Sequence, residues 1–428
     1  MSRVPVVISD KEQYECIRRM LEECVQGCKT VQIDKASQAM DYLGIEMPEL
    51  VVINFADEKI DTDLLMNVIK SDAWLLSSGI IGLCDSVRDL RESDKLRSTN
   101  VIALLELARL ERQLPKVINI ICHNRHMLFQ RIIGSDLGNV ITSSFELSND
   151  LIEVTCFTNL ICNYLYNLNR LDVLNKEKLS FVLVEMLVNA IEHGNCNISF
   201  SEKSIWLQNG GDMTEFIDER CKDPTIANRK VYLEYSIYPN HTTFRITDDG
   251  DGFDWRSLKD PNKGGIALSL HGRGVALSRD MTSDLAYNDK GNSVQFSFYH
   301  QEGVSNIAPA LFKDLTTVRS SAGDTVFSEG EPSDFLYYIS SGQYEVSVNG
   351  EAVTVLTHDD IFLGEMSFLL NNRRSATVKA LTAGCLIRIS KKEFVAGIKE
   401  KPHYSLFLAR LLAQRIERLN RKLGHHHT

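Results

Sequence analysis

Four runs in the first 110 residues contain almost nothing polar: Val4-Pro5-Val6-Val7-Ile8, Leu50-Val51-Val52-Ile53, Ile80-Ile81-Gly82-Leu83 and Val101-Ile102-Ala103-Leu104. A strand with one face in water alternates apolar and polar side chains, so an unbroken apolar strand must be covered on both faces. Helical patterns stand between the runs, from about Glu12 to Cys24 and near Thr62–Lys70. Buried strands alternating with helices predict a parallel, doubly wound α/β sheet over residues 1–115. That pattern does not continue, and a chain of 428 residues has room for about three domains.

Residues 116–141 read as a helical connector whose apolar stripe (Val117, Ile118, Ile120, Ile121, Met127, Leu128, Ile132, Ile133) fits either intramolecular docking or a homodimer seam. Residues 142–302 have an α+β pattern. A strong helix from Phe181 to Glu192 is followed by strands Val231–Ile237, Thr243–Ile246 and Ser293–Phe298. Residues 310–424 carry Gly323, Gly330, Gly342 and Gly350 between short strands, which is the pattern of a β-roll or barrel. Tyr344, Val346 and Val348 alternate into Asn349-Gly350, a type I′ hairpin signal. An amphipathic helix is expected from Tyr404 to Leu423.

Composition narrows the function classes. Hydrophobic residues make up 43% and charged residues 24%, which excludes a largely disordered or collagen-like chain. The formal charge of −10 lacks the basic footprint that nucleic-acid binding needs. No signal peptide and no apolar run of about eighteen residues is seen, so no membrane span is expected. The ten cysteines form no CxxC pair and read as free thiols of a cytoplasmic protein. His425-His426-His427 reads as a frayed tail, not a metal site.

Three clusters in the middle of the chain carry chemistry. In Glu185-Met-Leu-Val-Asn189-Ala-Ile-Glu192-His193-Gly194, the residues Glu185, Asn189 and Glu192/His193 fall on one helix face. Polar groups on the inner side of an apolar helix are costly unless they bind something. In Ile246-Thr247-Asp248-Asp249-Gly250-Asp251-Gly252-Phe253, a strand ends in an acid and glycines let the backbone approach a flat ligand. It lacks the remaining carboxylates of a calcium loop. Gly264-Gly265 and then His271-Gly272-Arg273-Gly274-Val275 form a glycine-rich loop opening a helix, which offers N–H groups to phosphates.

In this order the clusters resemble the Bergerat-type two-layer ATP-binding fold of gyrase, Hsp90, MutL and histidine kinases. The stretch Gly272–Phe298, with Gly-Arg-Gly, Met281-Thr-Ser-Asp284 and Asn288-Asp-Lys-Gly291-Asn292, looks most like the anti-sigma-factor serine kinase branch. The resemblance implies that Asn189 coordinates Mg²⁺, that Asp248 accepts from the adenine amino group, and that Gly250 and Gly252 line the adenine pocket. Gly272, Arg273 and Gly274 would cover the phosphates, His193 would belong to the ATP site, and Glu185 would be the catalytic base. Residues 195–230 are a longer insertion than a minimal anti-sigma kinase needs and resemble the variant fused to receiver domains. His123 and His126 lack the acid and the Thr-Pro that follow a phosphoacceptor histidine, which disfavours a histidine kinase.

The C-terminal stretch resembles the cyclic-nucleotide-binding β-roll. It reads Phe327-Ser-Glu329-Gly330 through Gly342, then Phe362-Leu363-Gly364-Glu365-Met366-Ser367, then Arg374-Ser375-Ala376. Arg374 is suited to a bidentate pair with a cyclic phosphate and Glu365 to the ribose 2′-hydroxyl. Gly364, Met366, Ser367 and Ser375 complete the implied cassette for cyclic AMP or cyclic GMP. Asp359-Asp360 stands where the pattern prefers Gly-Asp, and one extra residue precedes Gly364. Too few residues follow the closing helix for a winged helix, so a DNA-binding regulator is not expected.

The N-terminal part resembles a response-regulator receiver in architecture without its chemistry. Only Asp10 follows the first strand, Asn54 stands at the phosphoacceptor position, Cys84 replaces the switch hydroxyl, and Leu104-Leu105 take the place of the lysine. An amide cannot form the acyl phosphate, so a pseudo-receiver is expected. Together these readings describe a bacterial cytoplasmic signalling protein. A cyclic nucleotide would control ATP-dependent phosphorylation of a serine on an anti-sigma-antagonist-like or sigma-factor-like partner, without nucleic acid or membrane. The rivals are a non-catalytic ATP-binding partner switch and a dimeric scaffold.

Overall fold

The computed structural model describes residues 3–71, 75, 78–87, 99–128, 140–168, 170–253, 273–300, 312, 315–357, 360–401, 404–406, 408–409 and 412–413. The chain separates into two compact units: residues 136–166 with 171–302, and residues 1–135 with 167–170 and 303–428.

In the latter unit, the N-terminal sheet has strands β1 (Arg3–Val7), β2 (Lys29–Ile33), β3 (Leu50–Asn54), β4 (Gly79–Cys84) and β5 (Val101–Glu106). They are parallel and ordered β2-β1-β3-β4-β5. The apolar runs are buried except for the half-buried Val101, as their composition requires. Helix α1 (Lys11–Cys24) starts where the Asp10 carboxylate accepts from Gln13 N at 2.9 Å. Helices α2 (Ala36–Glu46) and α3 (Thr62–Ser71) pack on each other, and α4 (Leu110–His123) packs on α1.

Helix α4 corrects the connector reading. Leu110, Leu114, Val117, Ile118 and Ile121 are buried, so residues 116–123 complete the helix layer of this sheet, and the apolar stripe is used in docking. Ile132 and Ile133 lie outside the described residues. The bidentate Arg125–Glu49 pair, at 2.7 and 3.1 Å, ties the end of this segment to the start of β3.

The second unit begins with β6 (Ile141–Leu147), followed by α5 (Leu151–Asn167), α6 (Val173–Asn189) and a π-helical turn over Ala190–Asn195. Helices α7 (Phe200–Gln208), α8 (Met213–Arg220) and α9 (Pro224–Ala227) occupy the insertion. Strands β7 (Val231–Ile237) and β8 (His241–Asp248), helix α10 (Arg273–Met281), and strands β9 (Ser283–Tyr287) and β10 (Ser293–Tyr299) follow. The antiparallel sheet is ordered β6-β7-β8-β10-β9. Leu233, Tyr235, Phe244, Ile246, Val294 and Phe296 alternate onto its buried face, and Phe145 meets Phe157 of α5 at 4.8 Å. Helix α5 was not expected from the sequence; most of it is buried, and Thr155, Asn159 and Asn167 lie on its half-buried side.

The C-terminal residues of the first unit form two four-stranded antiparallel sheets. One is ordered β11 (Thr317–Ser320), β18 (Gly384–Ser390), β13 (Phe335–Ser341), β16 (Phe362–Leu363). The other is ordered β12 (Thr325–Phe327), β17 (Thr377–Ala380), β14 (Gln343–Val348), β15 (Glu351–Thr357). The short helix α11 (Glu365–Leu369) follows β16, and α12 (Lys391–Glu400) follows β18. Of the expected terminal helix, Tyr404–Leu406 and residues 408–409 and 412–413 are helical, and the rest lies outside the described residues. Tyr404 and Leu408 join an apolar cluster with Tyr338, Phe362 and Phe368, and Met47, the left-handed residue ending α2, is buried in that same cluster.

Asn349 (φ 52°) and Gly350 (φ 83°) both adopt positive φ between paired Val348 and Glu351, the expected I′ turn. No atom would obstruct a methyl group on Gly350, so Gly350→Ala loses only the conformational freedom of glycine. A loss of about 1 kcal/mol is expected, read as a lower midpoint of thermal or urea unfolding.

Candidate functional site

The central site starts on α6. Asp172 caps it by accepting from Asn175 N at 2.7 Å. Its apolar face (Leu179, Val182, Leu183, Met186, Leu187) is buried, which leaves Glu185 and Asn189 half-buried one turn apart. Asn189 Nδ2 donates to Glu185 Oε1 at 3.3 Å, directing the amide oxygen of Asn189 elsewhere. The first turn of α10 lies directly on Glu185, since a side chain on Gly274 would collide with its carboxylate. Arg273 opens α10, and Gly272 lies outside the described residues.

The shared helix face holds for Glu185 and Asn189 but not beyond them. The π-helical turn after Asn189 widens the helix and breaks the i+7/i+8 relation. Glu192 is buried and pairs with Lys203 at 2.5 Å. His193 Nδ1 donates to Ile198 O at 2.6 Å and its ring lies 4.2 Å from that of Phe200. Burial lowers the His193 pKa, so the ring is neutral near pH 7.

Asp248, the last residue of β8, faces this turn. Its carboxylate is pressed against Gly194, and Gly250 packs on the Gly194 carbonyl, with no room for a side chain at either glycine. Burial pushes the Asp248 carboxyl up to about 6, against the Gly250 N–H and the charge of Lys290, which hold it down. Gly252 takes φ 80° against the Lys290 carbonyl, a conformation and a contact that both demand glycine.

Lys290, Asn292 and Asn195 were not assigned to the site from the sequence. Lys290 Nζ donates to Gly250 O at 2.8 Å, and Asn292 Nδ2 donates to Asp248 O at 2.7 Å. Phe253 meets Tyr287 edge-on at 5.2 Å. Asn195, completely buried, accepts from Asp249 N at 2.9 Å. The only available signal for them was position, in the Asn288–Asn292 turn or beside Gly194. The result is an amide oxygen and a carboxylate one turn apart on α6, a buried acid at the end of β8, and glycine backbone packed against that acid.

The second site is built around Arg374, which is 4% exposed. Its guanidinium donates through Nη1 to Gly364 O (3.0 Å) and Ser367 Oγ (3.3 Å), and through Nη2 to Phe335 O. It stacks 4.1 Å from the Phe327 ring centroid. Nε is buried without a hydrogen-bond partner, and among the described residues no carboxylate forms an ion pair with the group. Burial lowers the Arg374 pKa, while Tyr337, Glu331, Asp334 and Glu365 act at longer range to raise it. Gly364 takes φ 73° with its α-carbon against Arg374, and Glu365 is buried beside it. Met366 (61% exposed) and Ser375 lie at the surface. Ile361, a buried β-branched residue three positions before Gly364, takes φ 67°, and Asp359 lies outside the described residues. Asp360 accepts from Thr357 N at 2.9 Å.

In the N-terminal sheet, buried Asn54 accepts from Ala56 N at 3.0 Å, and Cys84 Sγ donates to Leu105 O at 3.6 Å. Asp10 serves as the α1 cap. Asp57 is occupied by Ser9 N (2.6 Å) and Ser9 Oγ (2.9 Å). Burial pushes its carboxyl up, but the bonds from Ser9 and Lys59 outweigh this and hold it below the ordinary range.

Folded Asp248 titrates near 6 and its unfolded form near 3.8. The folded state therefore binds the extra proton between these values, and stability falls as pH rises through that window and stays lower above it. Asp248→Asn keeps an acceptor for Gly250 N without the buried charge. It is expected to stabilise the ligand-free protein by on the order of 2 kcal/mol at pH 7.5, with the gap closing below about pH 4, as read by thermal unfolding across pH.

Comparison with known proteins matches two spans of the chain to described domain families. Residues 317–401 match the family described as cyclic nucleotide-binding domain, and residues 159–298 the family described as histidine kinase-like ATPase domain. The CRP-like cAMP-activated global transcriptional regulator of Mycobacterium tuberculosis is 32% identical over 120 residues, 27% of this chain and 53% of that protein. The cAMP-dependent protein kinase type II regulatory subunit of Drosophila melanogaster is 30% identical over 103 residues, 24% of this chain and 26% of that protein. The chain thus spans about half the length, or less, of these curated relatives. Among solved structures, the Thermus thermophilus catabolite activator protein aligns with a TM-score of 0.25 and 24% identity over 27% of this chain and 55% of that one. This chain carries a histidine kinase-like ATPase domain and, C-terminal to it, a cyclic nucleotide-binding domain.

Proposed function

We propose that the protein is a bacterial cytoplasmic signalling protein in which a cyclic nucleotide, cyclic AMP or cyclic GMP, controls an ATP-dependent serine/threonine kinase of the anti-sigma type. The observation that carries this reading is the presence in one chain of two differently built groups of residues: Glu185 and Asn189 with the glycine-packed Asp248, and the buried Arg374. A buried guanidinium bonded only to neutral oxygens retains its charge, and an anion reaching Nε would offset the cost of burying it. The cyclic phosphate is that anion, with Glu365 accepting the ribose hydroxyl. The cAMP-related relatives favour this choice of ligand.

In the ATP site, Asp248 accepts from the adenine amino group and the Gly250–Gly252 backbone lies against the ring. Asn189 fits Mg²⁺, because its Nδ2 is engaged by Glu185 and the oxygen is the remaining ligand atom. The metal supplies charge neutralisation of the phosphates. Glu185, one turn away, receives the proton of the serine hydroxyl as that oxygen bonds to the terminal phosphorus and the bond from that phosphorus to its bridging oxygen breaks, releasing ADP. His193 supports the turn behind the site through Ile198. Gly272, Arg273 and Gly274 cover the phosphates. The partner that supplies the serine is an anti-sigma-antagonist-like or sigma-factor-like protein. The N-terminal part is a doubly wound pseudo-receiver, supported by the strand order β2-β1-β3-β4-β5 and by the amide at Asn54. The contact of Glu185 with Gly274 and Asn189 favours one second reading, a switch in which ATP sets shape without transfer.

Two measurements test this. In calorimetric titration, wild type is expected to bind cyclic AMP or cyclic GMP and Arg374→Ala to lose at least about a hundredfold in affinity. No binding of either by wild type refutes the ligand. With radiolabelled ATP and candidate antagonist proteins, Glu185→Ala is expected to lower transfer at least about a hundredfold while ATP still binds. Absence of transfer by wild type, with ATP bound, leaves the switch reading.

A further inference from the structure

We infer that Asn195 is a positioning residue for adenine recognition, holding the acid at the end of β8 in register with the metal-bearing helix; this rests on the reading of Asp248 as the acceptor of the adenine amino group. Asn195 ends the π-helical turn that continues from Asn189, and its side chain is completely buried. Its Oδ1 accepts from Asp249 N at 2.9 Å. Its Nδ2 donates to Asn149 Oδ1 at 2.8 Å, and Asn149 Nδ2 in turn donates to Ile226 O at 2.9 Å. The backbone oxygen of Asn195 accepts from Arg229 Nη1 at 2.8 Å.

The position therefore needs one acceptor and one donor on a short side chain, which is the chemistry of a carboxamide. Its acceptor bond goes to the residue immediately after Asp248. Gly194, immediately before Asn195, lies against the Asp248 carboxylate, and Gly250 against the Gly194 carbonyl. The two segments touch through backbone and carboxylate with no spare volume, so the Asn195–Asp249 bond sets where Asp248 points. Alanine at 195 removes the acceptor of the Asp249 N–H and strands the buried Asn149 Oδ1. Aspartate at 195 keeps the acceptor, loses the donor, and puts a second charge beside Asp248, which raises the Asp248 pKa further.

The test compares ATP with inosine triphosphate, whose base carries a carbonyl where adenine has its amino group. Full-length wild type is expected to prefer ATP by at least about tenfold at pH 7.5. In Asn195→Ala that preference should collapse to within about twofold, through loss of ATP affinity and little change for inosine triphosphate. A protonated Asp248 can donate to the inosine carbonyl, so the preference falls as pH drops. In Asn195→Asp the midpoint of that fall should move up by about one pH unit. Asn195→Ala keeping the ATP preference, or losing both nucleotides equally, overturns the inference. So does an unmoved midpoint in Asn195→Asp, which decides the matter if the alanine variant does not fold. If wild type shows no preference for ATP, the reading of Asp248 fails and the inference with it. If wild type prefers ATP and both variants behave like it, only the inference fails.

Discussion

Asp248 is held where a methyl group would not fit on either side, between Gly194 of the π-helical turn and Gly250 of the following loop. That steric constraint joins two segments far apart in sequence into one site. It also explains the local electrostatics. A carboxylate packed against peptide backbone is stripped of water, so burial raises its pKa, and the Gly250 N–H and Lys290 only partly compensate. The site is poised because its packing is tight. Asn195, Lys290 and Asn292 brace the loop from three directions through hydrogen bonds of 2.7–2.9 Å.

The Arg374 site solves a different problem. There the buried charge is a cation, its neighbours are carbonyls, a hydroxyl and an aromatic face, and one nitrogen remains unbonded. An ion pair with a carboxylate would have closed it. Leaving the buried Nε unbonded costs stability, a cost that an anion reaching it would offset. Ile361, in the apolar cluster with Tyr338 and Phe362, is a separate constraint, because a β-branched residue at positive φ persists only where surrounding packing imposes it.

Much of the fold was legible from pattern. The four apolar runs became β1, β3, β4 and β5 because nothing but burial on both faces suits them, and Asn349-Gly350 became the turn that its φ preferences dictate. Pattern failed where the local signal does not report the tertiary partner. The stripe on residues 117–121 looked alike for docking and for dimerisation, and only its packing on α1 decided the outcome. Helix α5 carries apolar residues well beyond one face, which blurs the four-residue spacing of Thr155, Asn159 and Asn163. The expected alignment of Glu192 and His193 with Asn189 assumed 3.6 residues per turn through a segment that is π-helical.

The sequence by itself determined the residue types that the two sites need: an asparagine and a glutamate one helical turn apart, an acid followed by glycines, and a glutamate and an arginine nine residues apart. These are local properties, fixed by spacing and by what each side chain can donate or accept. Only the tertiary structure decided how they are held. The collision limits at Gly194, Gly250 and Gly274, the raised pKa of Asp248, the unbonded Nε of Arg374 and the brace from Asn195 all depend on atoms brought together from distant segments. Close packing and desolvation are relations between segments, and no stretch of sequence carries them alone.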